Sequence, residues 1–439
     1  MATKYNNIPK ISGKNRDIPG TDKADRVTII GESNTFRGRK GNDYITVSSG
    51  DSHKVYGDAD NDRIIVNKKA RYAEIYGGAG KDTITINSNF DSEVYGGVGN
   101  DSITIAGGDS HTVKGEAGND KIILKGGNYH RVEGGAGDDT ITVSKGSYHW
   151  IYGSDQNDKG KGNNKITIDG GNHDYIYGGT KTDKIYINAG KEHFVLSGKG
   201  NDAIYLQKNA KKGADIRAGA GADTIEVTAG TGHTIQGGAG NDTITVSASG
   251  NFIYGDENTD GAAKGNDTII ITGGSNNSVY CNSNGGYDVI NIKGGAGGNT
   301  VRSYGTGDQI NVSAGKANII NVYCNHEGNK KTSGKLTMTG GTSSINIDYL
   351  DKTAAGSKFV INAVKGTAEG NTLTIDNAAD YIKFGKDASG KALLLTYNYY
   401  GTTGGTVEIQ NFANEAFSNG IIFGTQLMSY ADVKKKAGF

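Results

Sequence analysis

The feature that most constrains this chain is a repeat of about 19 residues. GGAGKDTITI from Gly77, GGVGNDSITI from Gly96, GEAGNDKIIL from Gly115 and GGAGDDTITV from Gly134 follow one another at that spacing, and AGAGADTIEV from Ala218 and GGAGNDTITV from Gly237 restate it further on. One column runs through the repeat: Asp25, Asp43, Asp62, Asp82, Asp101, Asp120 and Asp139, then Asn164, then Asp183, Asp202, Asp223, Asp242, Asp267, Asp288 and Asp308. Most steps are 18 to 21 residues, and the two steps of 25 carry six extra residues. A period of this length means stacked copies of one small unit, each touching only its neighbours.

Each unit holds two short alternating runs. In Asp82-Thr83-Ile84-Thr85-Ile86 the aliphatics take every second position, so Ile84 and Ile86 face one way and Thr83 and Thr85 the other. After a Gly/Asn/Ser turn, a second run such as Glu93-Val94-Tyr95-Gly96 turns Val94 inward. The expectation is an all-β fold, a parallel β-solenoid with two strands per coil. One coil cannot bury its aliphatics alone, whereas the stack makes a continuous ladder of Ile and Val. The 71 Gly supply turn angles that other residues adopt at a cost, and the 2 Pro, Pro9 and Pro19, are expected ahead of the first coil because proline removes a ladder amide.

Other classes drop out. Lys+Arg and Asp+Glu both number 47, so no whole-chain field draws nucleic acid or an anionic membrane. No run of ~18 apolar residues is present to form a transmembrane segment. The N-terminal MATKYNNIPKISGKNRDIPG lacks the apolar core of a secretory signal peptide, which leaves a cytosolic protein or export without a cleaved N-terminal signal. The 2 cysteines, Cys281 and Cys324, both follow Val-Tyr and read as two coils apart in one column, with Ser303 between them. That spacing, roughly 9–10 Å, exceeds disulfide reach and implies two free thiols.

The turn carries the chemistry. A sharp bend exposes carbonyls and is followed by an Asp; stacked on its copy, it gathers the hard oxygen donors that calcium takes six to eight of. Zinc or copper would want His or Cys, which this column lacks. Stacked carboxylates repel without a cation, so metal and fold should be linked. The segments GGAGKDTIT, GGVGNDSIT, GGAGDDTIT and GGAGNDTIT resemble the RTX (repeats-in-toxin, haemolysin-type calcium-binding repeat) family, whose nonapeptide GGxGxDxUx forms a calcium-loaded parallel β-roll in type I secreted proteins. The resemblance implies several calcium ions, with Asp82, Asp101, Asp139 and Asp242 as carboxylate ligands. It implies carbonyl ligands from Gly77, Gly78, Gly80, Gly96, Gly97, Gly99, Gly134, Gly135, Gly137, Gly237, Gly238 and Gly240. Partial matches extend the ligand set to Asp43, Asp62, Asp120, Asp183, Asp202, Asp223 and Asp267. Two departures matter: the motif occupies one turn per coil, so one ion row is expected, and the chain is neutral, with Lys81, Lys121, Lys165 and Lys184 beside the column. A metal-free ladder bonding its own backbone is the competing, less favoured reading.

Further columns accompany this one. His53, His111, His130, His149, His193 and His233 align on the second turn, with Tyr72, Ser92 and Asn251 read into the same column. Such mixed occupancy favours a polar ladder over a transition-metal or pH-sensing site. Outward positions of the second strand carry Tyr56, Tyr76, Tyr95, Tyr152, Tyr177, Tyr254 and Tyr280. Tyr148, Trp150, Tyr152, Tyr175, Tyr177 and Phe194 form a candidate ligand-contact patch for a glycan or protein, against the alternative of ring stacking along the ladder. The pairs Thr83/Thr85, Thr140/Thr142 and Thr243/Thr245 would suit ice binding if regular, but Arg63, Lys184, Tyr186 and Glu226 interrupt them. Insertions GSDQNDKGKGNNK from Gly153 and GDENTDGAAKGND from Gly255 carry Asp155, Asp158, Asp256, Glu257 and Asp260. They read as tolerated loops in preference to altered cation loops.

The chain divides into residues 1–22, a disordered or capping segment; 23–313, the calcium-binding solenoid; 314–375, irregular coils without the Asp motif; and 376–439, a C-terminal β-rich cap with a type I secretion signal. The last resembles the region after RTX rolls, with a hairpin (Ala392 to Tyr397, Val407 to Ile409), an Ile-Ile-Phe strand, and a basic, helical Met428 to Phe439 as the signal. No Ser-His-Asp order, HExxH or nucleotide loop occurs, so no enzyme is expected. The functional expectation is a secreted calcium-binding β-roll protein that folds on meeting extracellular calcium and serves as a structural or adhesive component of the bacterial cell surface or surface layer. Its partners would be calcium, the type I secretion machinery, and surface glycans or copies of itself. The alternatives are a lyase- or epimerase-like carbohydrate-active β-helix using carboxylates beside Trp150, and the repeat and secretion portion of a larger toxin or adhesin.

Overall fold

The computed structural model describes residues 5–439 other than 156–161, 257–264, 282–285, 294–296, 305–306, 324–332, 341, 349–356, 364–370, 377–380, 400–401, 411, 413–416 and 418–419. The Asp158, Glu257, Asp260 and Cys324 readings lie outside the described residues. The chain forms two compact units, Met1–Asp215 and Ile216–Phe439.

In the first unit, alternating short runs form two parallel sheets. Strands that follow the Asp column, such as Arg63–Arg71, Thr83–Ile86 and Ser102–Ile105, make one, with Ile84 opposite Ile64 on one side and Ile103 on the other. The second runs, such as Glu74–Ala79, Glu93–Val98 and Thr112–Ala117, make the other, with Val94 between Ile75 and Val113. The period of two decides what is inside: Ile84, Ile86 and Val94 are fully buried. Burying each such side chain stabilises the fold by about 1.5–3 kcal/mol, and neighbouring coils supply the cover.

The N-terminal residues join this stack. Asn6–Asn7 pairs parallel with Asp25 and Arg26, and Asp17–Pro19 pairs with Thr35–Arg37. Pro19 therefore lies within a strand instead of ahead of the coils; it ends the outermost one, where a missing N–H breaks no ladder among the described residues.

The second unit repeats the two-sheet plan. Thr224–Val227, Thr243–Val246 and Thr268–Ile271 pair in one sheet, and Thr234–Ala239, Phe252–Tyr254 and Ser278–Cys281 in the other. Parallel pairing continues past residue 314 without the Asp motif, through Ser333–Met338, Ser343–Asp348, Lys358–Ala363 and Thr372–Ile375. Antiparallel strands Ile382–Lys386, Leu393–Tyr399 and Thr402–Gln410 follow, the last also pairing parallel with Lys358–Ala363. The helix Tyr430–Ala437 starts at Ser429, whose side chain accepts from the Asp432 N–H, and stops at Gly438 in the left-handed region. Among the described residues no helix is long and apolar enough to cross a membrane.

Cys281 is buried and in no disulfide, and burial pushes its thiol pKa up. Its column corrects the sequence reading: Cys281 pairs with Ser303, which pairs with Val322 and not with residue 324. The Val-Tyr-Cys-Asn echo misleads because a slip of two residues keeps the inward and outward alternation intact.

Candidate metal centre

Each Asp of the column opens a strand and turns its side chain into the coil, where it is buried. One carboxylate oxygen builds a ladder. The N–H groups of Asp25, Asp43, Asp62, Asp82, Asp101 and Asp120 each donate to Oδ1 of the Asp one coil on, at 2.7 Å. Asp139 donates to Asn164 at 3.1 Å, Asn164 to Asp183 at 2.6 Å, and Asp183 to Asp202 at 2.8 Å. In the second unit Asp223 donates to Asp242 at 2.7 Å and Asp242 to Asp267 at 2.8 Å, and the ladder runs on through Asp288 to Asp308. Asp25, Asp288 and Asp308 were outside the expected ligand set, although the column spacing already contained them.

The second oxygen is different. Oδ2 of Asp43, Asp62, Asp82, Asp101, Asp120, Asp139, Asp242 and Asp267 is buried and has no hydrogen-bond partner. A carboxylate oxygen in that position costs free energy unless something positive faces it. Burial is the main reason these carboxyls are pushed up, to about 6 at Asp82 and Asp120, about 7 at Asp43 and Asp242, and about 8 at Asp62, Asp139 and Asp267.

Glycine makes the space beside this oxygen. A Cβ on Gly96 would stand 2.6 Å from Asp101 Oδ2 and 2.6 Å from the carbonyl oxygen of Gly115 one coil on. The first glycine of the motif thus leaves a gap between a carboxylate and a carbonyl, as at Gly77, Gly134 and Gly237. The second and fourth positions act otherwise. Gly97 (φ +113°) and Gly99 (φ +143°) sit in the left-handed region, and a Cβ on either would collide with the carbonyls of Gly78 and Gly80, which point along the stack. Gly135, Gly137, Gly238 and Gly240 repeat these conformations. Among the described residues no three His, Cys, Asp or Glu side chains converge as a metal cluster, so carbonyls would supply most ligands to any cation here. One buried carboxylate oxygen with carbonyls around it is an all-oxygen donor set, which fits calcium and not a thiolate- or imidazole-seeking metal.

The histidines form a structural ladder. His53, His111, His130, His149, His193 and His233 are buried. Nδ1 of His111, His130 and His149 accepts from the N–H of Ser92, His111 and His130, at 3.0 to 3.2 Å. Nε2 of His111 and His130 lies 3.2 and 3.0 Å from the carbonyls of Gly107 and Gly126, so both rings are neutral with the proton on Nε2. Burial holds His111 and His149 below the usual imidazole range and His130 at about 3. The residue sharing this column is Ala73, not Tyr72: Glu93 N–H bonds the Ala73 carbonyl, and Tyr72 is exposed. Asp174 also belongs to it, accepting from His149 N–H at 2.9 Å.

The aromatic stripe is a pile of stacked rings. Tyr56, Tyr76 and Tyr95 stack at 4.8 Å, Tyr152 on Tyr177 at 4.8 Å, and Trp150 on Tyr175 at 4.4 Å. Trp150, Tyr152, Tyr177 and Leu196 wall a groove of about 470 Å³ whose other side is Ser154, Asp155, Gly178, Gly179, Ser197 and Gly198. Tyr175 and Phe194 do not line it, although Phe194 is tilted against both Tyr175 and Tyr177, and Tyr148 stands apart in the turn, stacked between Tyr129 and His173.

The family-model match agrees with this geometry. The family model of the RTX calcium-binding nonapeptide repeat matches in four copies, at residues 31–51, 74–93, 131–147 and 228–261. No curated protein matches the chain. Among solved structures, a hyperactive, Ca²⁺-dependent, β-helical antifreeze protein from an Antarctic bacterium is similar at 17% identity, over 82% of this chain and 87% of that one, with a TM-score of 0.34. The chain is a parallel β-solenoid carrying RTX calcium-binding nonapeptide repeats.

Proposed function

We propose that this chain is a secreted structural and adhesive protein of the bacterial cell surface whose fold is completed by a row of calcium ions. The observation that carries the reading is the series of buried Asp Oδ2 atoms without partners, each beside a gap left by glycine. Asp43, Asp62, Asp82, Asp101, Asp120, Asp139, Asp242 and Asp267 would hold the ions, with turn carbonyls completing each shell, and Asp183, Asp202 and Asp223 continue the same ladder. Bound calcium supplies the positive charge that lets these carboxylates stay ionised in a dry coil. The chain's own part is orientation: the ladder bond to Oδ1 fixes each carboxylate so that Oδ2 faces the gap. Low calcium then leaves the coils unfolded, and the millimolar calcium typical of extracellular sites folds them. Circular dichroism tests this: excess chelator should abolish most β-sheet signal and calcium should restore it, and an unchanged spectrum in chelator refutes the reading.

The finer parts rest on separate supports. Export by a type I route follows from the RTX resemblance, with Met428 to Phe439 as the signal and residues 376–439 as cap; fusing that segment to a reporter and assaying its export tests it. The adhesive role rests on the groove at Trp150, where the ring is 42% exposed. A glycan array with wild type and Trp150→Ala reads this out, and loss of attachment without any polymer cleavage separates adhesion from the lyase- or epimerase-like alternative.

A further inference from the structure

The second turn of each coil, away from the Asp motif, carries side chains in the first unit that the turn itself does not require. One of its positions is left-handed in coil after coil. Ser52 (φ +58°) and Ser110 (φ +61°) hold it, and so do Tyr129 (φ +59°), Tyr148 (φ +61°) and His173 (φ +57°). These residues lie over one another: the N–H of Ser110 bonds the Asn128 carbonyl, that of Tyr129 the Ser147 carbonyl, that of Tyr148 the Asn172 carbonyl and that of His173 the Lys191 carbonyl. Serine serves this turn, whereas a bulky ring at positive φ is an outlier. Strain of this kind, which a smaller residue would lessen, concentrates at functional sites.

Tyr129 stacks on Tyr148 at 5.3 Å and Tyr148 on His173 at 4.8 Å, which makes a rib across three coils. The two tyrosines are 59% and 42% exposed. Among the described residues their hydroxyls have no hydrogen-bond partner, unlike that of Tyr95, which donates to Glu93 at 2.9 Å. Lysines flank the rib on the same edge: Lys125 and Lys145 in the turns of Tyr129 and Tyr148, Lys191 beside Glu192, and Lys208, Lys211 and Lys212 one coil further. Lys125, Lys145, Lys208 and Lys211 are exposed, and none of them pairs with a carboxylate among the described residues. The acidic side chains of these turns are already engaged. Glu192 lies 2.6 Å from His173 Nε2 and 3.5 Å from Lys191 Nζ, and Asp169 accepts from Asn188 Nδ2 at 2.7 Å.

We propose that this edge, from Lys125 to Lys212, binds a carboxylated polysaccharide laid along the stack. The ammonium groups meet the sugar carboxylates, and the phenol hydroxyls both donate to and accept from sugar hydroxyls. The rings offer their edges, because Tyr148 has Tyr129 on one face and His173 on the other. Single-stranded nucleic acid stacks its bases on open ring faces, and Tyr148 has none. No Leu, Ile, Val, Met or Phe occurs in these turns, residues 125–129, 144–148, 169–173, 188–192 and 207–213, so the edge has nothing to bury in a bilayer. None of these residues walls the groove at Trp150, so the edge extends the adhesive reading to a second surface.

Fluorescence polarisation measures binding of a labelled short oligogalacturonate to the full chain at one fixed calcium concentration. Its methyl ester, which keeps the hydroxyls and loses the charge, and a single-stranded oligonucleotide are run alongside. Wild type should bind the acid and not the ester, and more weakly as salt rises. The triple variant Lys145→Gln/Lys211→Gln/Lys212→Gln should weaken binding by about threefold to a hundredfold, the scale of three exposed charge pairs. Tyr148→Ser, which gives this turn the residue found at Ser52 and Ser110, should lose affinity and keep the circular dichroism spectrum. A wild type that ignores the acid, binds acid and ester equally or prefers the oligonucleotide overturns the proposal, as does unchanged affinity in either variant. Glycan attachment lost in Trp150→Ala but kept in these variants leaves adhesion at the groove standing and overturns the edge alone.

Discussion

Replacing Asp62 by Asn isolates what one buried carboxylate does to the fold. Asp62 Oδ1 accepts from Asp43 N–H, its own N–H donates to Asp82, and Oδ2 has no partner. Asn164 shows that an amide fits the same ladder: its Oδ1 accepts from Asp139, and Nδ2 reaches a turn carbonyl. The substitution therefore keeps the ladder and removes only charge. Burial, reinforced by Asp82, Asp43 and Asp60, raises the Asp62 pKa from 3.8 to about 8. Because the folded chain holds this proton more tightly than the unfolded one, the metal-free fold loses stability as pH rises from about 4 to about 8. At pH 7 the penalty spans about three pKa units, or roughly 4 kcal/mol at most at about 1.4 kcal/mol each. Asp62→Asn should recover much of that without calcium, and should forgo the stabilisation a bound ion gives, about 2.7 kcal/mol at calcium one hundred times the site's Kd. The assay is far-UV circular dichroism in chelator between pH 8 and 6.5, with trimethylamine N-oxide added to bring the metal-free transition into range, repeated across a calcium titration. Wild type should gain structure as pH falls through this window, and the variant should gain less because it starts more folded. A variant less folded than wild type in chelator at pH 7, or one with an unchanged calcium dependence, refutes the reasoning.

The turns and the second column give further expectations. Gly97→Ala forces a side chain into φ +113° against the Gly78 carbonyl and should destabilise the fold by about 1–3 kcal/mol or more in urea unfolding with calcium present. Gly107→Ala, with nothing within 4 Å of the new Cβ, should be neutral or stabilise by up to about 1 kcal/mol. The neutral histidines oppose the carboxylates: His130, held at about 3 when folded and near 6.5 when unfolded, contributes stability that is full above pH 6.5 and lost as pH falls toward 3. His130→Asn, the residue that already accepts this ladder bond at Asn251, should cost about 1 kcal/mol at pH 7 and flatten the loss below pH 6. Ile84→Ala should cost about 2–5 kcal/mol by leaving a cavity at a fully buried position.

The coil was legible because two periods overlap in the sequence. Alternation places Ile84 and Ile86 inside, and the 19-residue step places Asp82 over Asp101, so fold class and the Asp row follow from spacing alone. Errors arise where the step changes. The coil from Asp62 to Asp82 has 20 residues, and its extra residue is taken up as a bulge opposite Val47 to Ser49. Everything after that bulge shifts by one, which moves Ala73 into the histidine column and leaves Tyr72 outside; a small apolar residue carries no signal that could have announced this. The site was legible only as composition. Asp in the column reads as a ligand, yet that one oxygen is consumed by the next coil's backbone while the other is left bare depends on rotamer and register, which no pattern states.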